Sequence, residues 1–444
     1  MAASMAIEED VLGRVSPTRE QQSKVNMAAE ELLQLVSAEA RKTELDLKVT
    51  LQGSVAKGTY NYPPDIDIFV LFPVTTSRED LERLGLRIGK GVLKGEERYA
   101  EHPYMHGVHK GFEADIVPCF AIASPADLKS AVDRTPFHTA FVLSKLTDKQ
   151  RDDVRLLKQF MKGVGVYGAE ARVHGFSGYL VELLVLRHGN FRSVLEAAKG
   201  WRRGQVISFE RGPRFDATLT FHDPVDPTRN VASAVSADSF ALFIHAARSY
   251  LDNPSTRFFF PRERKTWPTA KIRSELNKRG TSLLSIVLPR PDLIDDDLHP
   301  QLKKTMDGMR VVLEQGGFSV CCCSDHVEAK RAVLVFELAS EELPLSYLHV
   351  GPPAWMSTAS DFLTKWSGKA ISGPYLEDGR WVAVVRRRYT KAVDLIGKEA
   401  KKAALGDSFR SLRGMRELDT KGSVSSDLRE ALTAHLDRTL PWKR

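Results

Sequence analysis

Two aspartates one residue apart, Asp65-Ile66-Asp67, open an apolar run that ends at Phe72, and Gly53-Ser54 precedes them by a ten-residue gap. Alternate residues of a strand face the same way, so both carboxylates project from one side. Close anions repel and resist burial, so an apolar strand bearing two of them calls for a cation. Hard oxygen ligands beside a phosphate-binding turn point to Mg²⁺. Gly53 permits close backbone approach, and residues 54–60 can open a helix whose free N–H groups attract phosphate. Lys57 follows Ser54 by three, so both reach one phosphate from a first helical turn. A third acid, Asp115, stands in Phe112-Glu113-Ala114-Asp115-Ile116-Val117-Pro118, another strand-like run. Asp65, Asp67 and Asp115 on adjacent strands can hold two metal ions, one activating a 3′-hydroxyl and the other stabilising a leaving pyrophosphate. The competing explanation is a set of exposed strand charges. A lone D-x-D would not decide the matter, but the turn and the third acid favour catalysis.

The elements that must position these groups follow from periodicity. Residues 17–42 read as a helix opened by Pro17 and Thr18, with Val25, Ala28, Leu32 and Leu33 at helical spacing. Strands are expected at 45–51, Ile66–Phe72 and Phe112–Phe120, with a helix over 78–94, an order that makes a small mixed α/β domain. Helices follow at 149–163, 176–200 and 236–252, and the Phe258-Phe259-Phe260-Pro261 corner marks a boundary. Beyond it, strands at 283–288, 318–323, 332–338 and 381–385 and helices at 302–314 and 358–366 give a β-α-β-β-α-β, ferredoxin-like order. The expected fold class is α+β and multidomain. A mixed-sheet catalytic domain occupies 1–148, a mainly helical domain 149–260, and a ferredoxin-like region with a basic helical tail 261–444.

Composition narrows the partners. The net charge is +7, and residues 379–444 hold 16 Lys and Arg against 8 Asp and Glu, while the rest of the chain holds 48 against 49. The whole positive balance therefore lies at one end, which favours a polyanion grip over a solvated face. Arg386 and Arg388 should share a face by alternation, and Lys391, Lys398, Lys401 and Lys402 continue the basic surface. No apolar run is long enough for a membrane span, and the first twenty residues resemble no signal or transit peptide, which leaves the cytoplasm. Cys321-Cys322-Cys323 lacks the paired spacing of a zinc motif and reads as a buried strand of free thiols.

Gly-Ser, D-x-D and a third Asp resemble the polymerase-beta-like nucleotidyltransferases. Narrower still are Gly53-Ser54-Val55-Ala56-Lys57-Gly58-Thr59, Arg134-Thr135-Pro136-Phe137-His138, Val154-Arg155-Leu156-Leu157-Lys158 and Gly165-Val166-Tyr167-Gly168-Ala169-Glu170. Gly175-Phe176-Ser177-Gly178-Tyr179, Asp223-Pro224-Val225-Asp226-Pro227-Thr228-Arg229-Asn230, His349-Val350-Gly351-Pro352-Pro353 and Ser372-Gly373-Pro374-Tyr375 extend the likeness over nearly the whole chain. Together they resemble the archaeal class of CCA-adding enzymes. Two departures stand out: Asp65 where that class often has Glu, and a gap before the acid pair that is one residue short.

The resemblance implies Mg²⁺-dependent, template-independent addition of CCA to tRNA from CTP and ATP, by a homodimer. It implies nucleotide contacts from Gly53, Ser54, Lys57, Thr135, His138, Lys158, Tyr167 and Arg229. Each has a bland counterpart. His138, in a loop after Pro136, could be structural, Thr135 a helix cap, Lys158 a snorkelling stem and Tyr167 a core ring. The guanidinium of Arg229 suits base edges, and the family uses an arginine there in base selection. Asp223 and Asp226 read as turn residues. Arg386, Arg388 and Lys391 are the candidate tRNA contacts. Poly(A) or cyclic-oligonucleotide synthesis on the same catalytic domain, and an RNA-binding module with a dead site, are the rival readings.

Overall fold

The computed structural model describes residues 2–99, 101–425 and 427–444. The chain divides into two units, one running to Glu263 and regaining Thr439–Arg444, the other spanning Arg264–Arg438.

The first unit opens with α1 (Ala2–Val15) and α2 (Arg19–Arg41), the latter started by a capping box in which Thr18 and Gln21 exchange side-chain and backbone bonds. Next come β1 (Lys48–Gln52), α3 (Gly53–Lys57), β2 (Ile66–Phe72), α4 (Arg78–Val92), β3 (Gly95–Tyr99), β4 (Pro103–His109) and β5 (Phe112–Phe120). Their sheet has the order β1-β2-β5-β4-β3, with β2 and β5 parallel and every other pair antiparallel. Ile66, Ile68, Val70 and Phe72 point into a core with Leu32 and Val36 of α2 and Leu81 and Ile88 of α4. The opposite face of β2 carries Asp67, with Phe69 and Leu71 beyond it.

Five helices complete the unit: α5 (Thr135–Lys145), α6 (Asp148–Val164), α7 (Gly178–His188), α8 (Phe191–Ala198) and α9 (Ala237–Asp252), with the short strands β6 (Gln205–Ile207) and β7 (Leu219–Phe221) between α8 and α9. The single helix expected over 176–200 is two, because Gly189 takes φ +98° and Asn190 caps the next start. Phe160 of α6 centres an aromatic core with Phe191, Phe243, Tyr250, Phe258 and Phe259. The Phe258–Phe260 corner is thus core of this unit.

The second unit holds α10 (Thr269–Arg279), β8 (Ser282–Pro289), α11 (Asp295–Gln315), β9 (Val320–Val327), β10 (Arg331–Leu338), β11 (Ser346–Pro353), α12 (Ala359–Trp366), β12 (Ser372–Glu377), β13 (Arg380–Arg386), α13 (Ala392–Glu399), β14 (Arg416–Leu418), α14 (Thr420–Ser425) and α15 (Arg429–Leu436). Its main sheet is antiparallel with the order β14-β8-β10-β9, the ferredoxin-like arrangement. Two of its members differ from expectation. The fourth strand is β14 and the second helix α13, whereas the helix at 359–366 and the strand at 380–386 lie in an inserted three-stranded sheet, β11-β13-β12. Strand alternation sends Leu334, Phe336 and Leu338 toward α11 and α13, and Val333 and Val335 toward α10, α14 and α15. The cysteine run is a second correction. It lies on edge strand β9, where Cys321 is exposed and Cys322 and Cys323 are half-buried.

Candidate active site

The turn from β1 into α3 hinges on Gly53, at φ +66°. A Cβ there would fall 1.8 Å from Oδ2 of Asp67, so the missing side chain is the space that carboxylate fills. Antiparallel pairing puts Gln52 opposite Asp67, and parallel pairing puts Asp67 opposite Asp115. Register partners share a face, so these two acids project side by side. Asp65, exposed, comes two residues earlier, just before β2 begins, and its charge acts on Asp67. From β4, His106 stands across from Asp115 with Nδ1 2.7 Å from its Oδ1.

Crowding of like charge is written into this face. Burial, then Asp115, then Asp65 push Asp67 up to about 7. Burial, Glu113 and Asp115 raise Asp65 as well. Lys57 and Lys158 temper Asp67, and Lys162 tempers Asp65. An all-carboxylate donor set short of positive charge fits a hard divalent ion. Among the described residues, the one trio of metal-capable side chains whose ligand atoms lie within 4.8 Å of one another is Cys322, Glu337 and His435. The three aspartates are not such a trio.

The two lysines meet on a residue that periodicity passed over. Lys57 Nζ donates to Glu182 Oε2 at 2.6 Å, and Lys158 Nζ lies 3.8 Å from Oε1. Thr59 Oγ1 donates to Oε1 at 2.6 Å, and Lys158 donates to the Thr59 carbonyl at 3.1 Å. Lys158 is 4% exposed, so it does not snorkel, and burial drives its ammonium pKa down against the pull of Glu182. A signal was available: Glu182 is the one acid in the apolar stretch Leu180-Val181-Glu182-Leu183-Leu184 of α7. A buried acid needs a buried partner. Lys162, one turn beyond Lys158, was also missed, and its ammonium lies 5.2 Å over the Tyr167 ring. Gly178 makes room for Tyr167, whose hydroxyl is 3.0 Å from where a Cβ would stand.

A second cluster forms around Asp223, whose side chain has no exposed surface. Its Oδ2 lies 2.8 Å from His138 Nε2 and accepts from Arg229 Nη1 at 3.0 Å. Its Oδ1 accepts from the Tyr179 hydroxyl at 3.1 Å and the Val225 N–H at 3.0 Å. Burial pushes this carboxyl up, but the bonds from His138, Val225 and Arg229 outweigh it and hold it at about 2. Asp223 is therefore a turn residue, as expected, and a hub besides. His138 stacks on Tyr179 with centroids 3.9 Å apart. It belongs to helix α5, not a loop, because Pro136 fits the first helical turn. Thr135 is the first residue of α5 and does not cap it. Asp226 does form a turn, accepting from Thr228, and it also accepts from Arg134 Nε at 2.9 Å. A cavity of about 460 Å³ opens beside this turn, lined by Phe141, Leu186, Phe209, His222 and Asp223.

In the second unit, Arg386 and Arg388 are exposed and Arg387 is half-buried, as alternation requires. Arg388 Nη1 lies 3.2 Å from Glu399, and Lys391 Nζ 3.0 Å from Glu342. Arg387 lies over the Tyr347 ring.

Comparison with known proteins matches residues 30–138 to the nucleotidyltransferase domain, 152–260 to the second domain of tRNA nucleotidyltransferase, and 279–415 to the C-terminal domain of CCA-adding enzyme. The chain is 39% identical over 420 residues to a CCA-adding enzyme of Methanosarcina mazei, covering 91% of this chain and 92% of the relative. A CCA-adding enzyme of Methanothermobacter thermautotrophicus is 38% identical over 452 aligned positions, 98% of each chain. One from Halobacterium salinarum is 40% identical over 394 residues, 87% of each.

Proposed function

Because the chain belongs to the family of CCA-adding enzymes, we propose that it builds and repairs the 3′-terminal CCA of tRNA without a template, from CTP and ATP, releasing pyrophosphate. The observation that carries this reading is the register of β2 and β5, which sets Asp67 beside Asp115 under Gly53. Asp65, Asp67 and Asp115 would hold Mg²⁺, which when bound supplies the charge that activates the tRNA 3′-hydroxyl and steadies the pyrophosphate. The Gly53-Ser54 turn offers backbone N–H groups to the triphosphate. Lys57 and Lys158 add positive charge where negative charge grows on the leaving group, with Glu182 fixing both. Thr135, His138 and Tyr167 contact the nucleotide, and Asp223 aims Arg229 at the base edge.

In this reading residues 1–148 are catalytic, 149–260 bind nucleotide and 261–444 bind tRNA, with Arg386, Arg388 and Lys391 on tRNA phosphates. The protein works as a homodimer in the cytoplasm. No helix among the described residues is long and apolar enough to cross a membrane.

The test is stepwise extension of tRNA lacking its 3′ end, with CTP and ATP supplied separately and together. Ordered addition of C, C and A is expected, whereas long A tails or small cyclic products would move the acceptor assignment elsewhere. Asp67→Asn and Asp115→Asn should each lower C and A addition by on the order of 10³-fold, the scale of losing a preorganised electrostatic partner, with tRNA binding retained. Near-normal rates in either variant would remove the triad from the mechanism.

A further inference from the structure

In the second unit a thiol, an imidazole and a carboxylate converge. Cys322 and Glu337 are register partners on β9 and β10, so both face the side covered by α15. His435, wholly buried, enters from the last turn of α15. Cys322 Sγ lies 3.6 Å from His435 Nε2 and 3.5 Å from Glu337 Oε2, and those two atoms are 3.4 Å apart. We propose that Cys322, Glu337 and His435 are the protein ligands of a zinc ion.

The distances carry the argument. A tetrahedral zinc ion with Zn–S near 2.3 Å and Zn–N and Zn–O near 2.0 Å sets its donor atoms about 3.3–3.6 Å apart. All three edges of this triangle fall in that interval. Mixed thiolate, imidazole and carboxylate donors suit zinc rather than Mg²⁺ or Ca²⁺. An outer shell is also in place. Ser324 Oγ is 2.7 Å from His435 Nδ1, which orients the ring with Nε2 toward the other two ligands. Thr281 Oγ1 donates to Glu337 Oε1 at 2.7 Å and Arg279 Nη1 to Oε2 at 3.1 Å. Metal binding forms a Zn–S bond and releases the thiol proton to water. Arg438 Nη2, 3.9 Å from Sγ, faces the thiolate charge that results. Half-exposed Cys322 leaves one side open for water as fourth ligand. The ion would pin α15 to the strands it covers. The spacing rules miss such a site because its three ligands come from separate elements, with Cys322 and His435 113 residues apart.

Cobalt(II) is the probe, titrated into the full-length, metal-stripped protein. A near-UV thiolate-to-metal charge-transfer band and four-coordinate visible absorption should appear and be displaced by zinc. Ions on the carboxylates alone give no such band. Cys322→Ser should remove the band and weaken zinc at least about hundredfold, and Ser324→Ala about tenfold, since outer-shell losses cost 10–100-fold. Cys321→Ser, at the bulge of β9, should change neither. A wild-type protein without the band, or a folded Cys322→Ser variant that keeps it, overturns the assignment. Should Cys322→Ser fail to fold, the wild-type band and its survival in Cys321→Ser decide.

Discussion

Four donors converge on the carboxylate of Asp223, and those from His138, Val225 and Arg229 hold it at about 2 against a burial that pushes it up. The ordinary value is 3.8, so this group stabilises the fold fully above pH 4 and the contribution is lost as pH falls from about 4 through 2. The shift corresponds to about 2 kcal/mol. Denaturant melts of Asp223→Asn should show a deficit of that size at pH 7 that falls to about half by pH 3. An equal deficit at both pH values would assign the loss to packing instead. Arg229 depends on the same carboxylate for its aim, so Arg229→Ala should raise misincorporation or slow addition without weakening triphosphate binding. Equal weakening of CTP, ATP and UTP with fidelity unchanged would make it a general phosphate contact. The sequence reading had Asp223 as a turn residue because the bond to Val225 is local. The partners from α5 and α7 lie 85 and 44 residues away, and no local pattern encodes them. The acids were legible for the opposite reason, since strand alternation alone predicts Asp65 and Asp67 on one side.

At the scale of the element, the turn between β1 and α3 is fixed by one missing Cβ. Gly53→Ala would collide with Asp67 Oδ2 and also strain a left-handed backbone by roughly 1 kcal/mol. Nucleotide incorporation should fall about hundredfold or more while chemical denaturation shows only that small loss. A stable variant with wild-type turnover would show that Asp67 can move without cost. The second unit shows where periodicity misleads. Its β-α-β-β-α-β order is legible, but the strong apolar run at 381–385 has the look of the fourth strand and belongs to the inserted sheet. The true fourth strand, Arg416–Leu418, is three residues long and bears two charges, too short for alternation to register. Its place in the sheet comes from pairing with β8, a long-range contact.

For the molecule as a whole, the charge surplus at residues 379–444 survives folding unevenly. Arg388 and Lys391 already have acidic partners, whereas among the described residues no ion pair involves Arg386. Each phosphate neutralised contributes roughly 0.7–0.9 to the slope of log affinity against log salt. Arg386→Ala should therefore flatten that slope by nearly a full increment, and Arg388→Ala by less, for all tRNAs alike. Unchanged affinity and slope in a folded double variant would leave these arginines as mere solvated surface.

The first unit is also interrupted: the second unit, Arg264–Arg438, is inserted before Thr439–Arg444. Trp442, 5% exposed, stacks on Phe258 with centroids 5.1 Å apart, against the aromatic core around Phe160. A ribosome delivers residues in order, at about 5–20 per second. The whole inserted unit must therefore be synthesised before Trp442 can reach Phe258. During that interval, on the order of ten seconds or more, the aromatic core lacks this cover, and closing it is a late step in the life of every newly made chain.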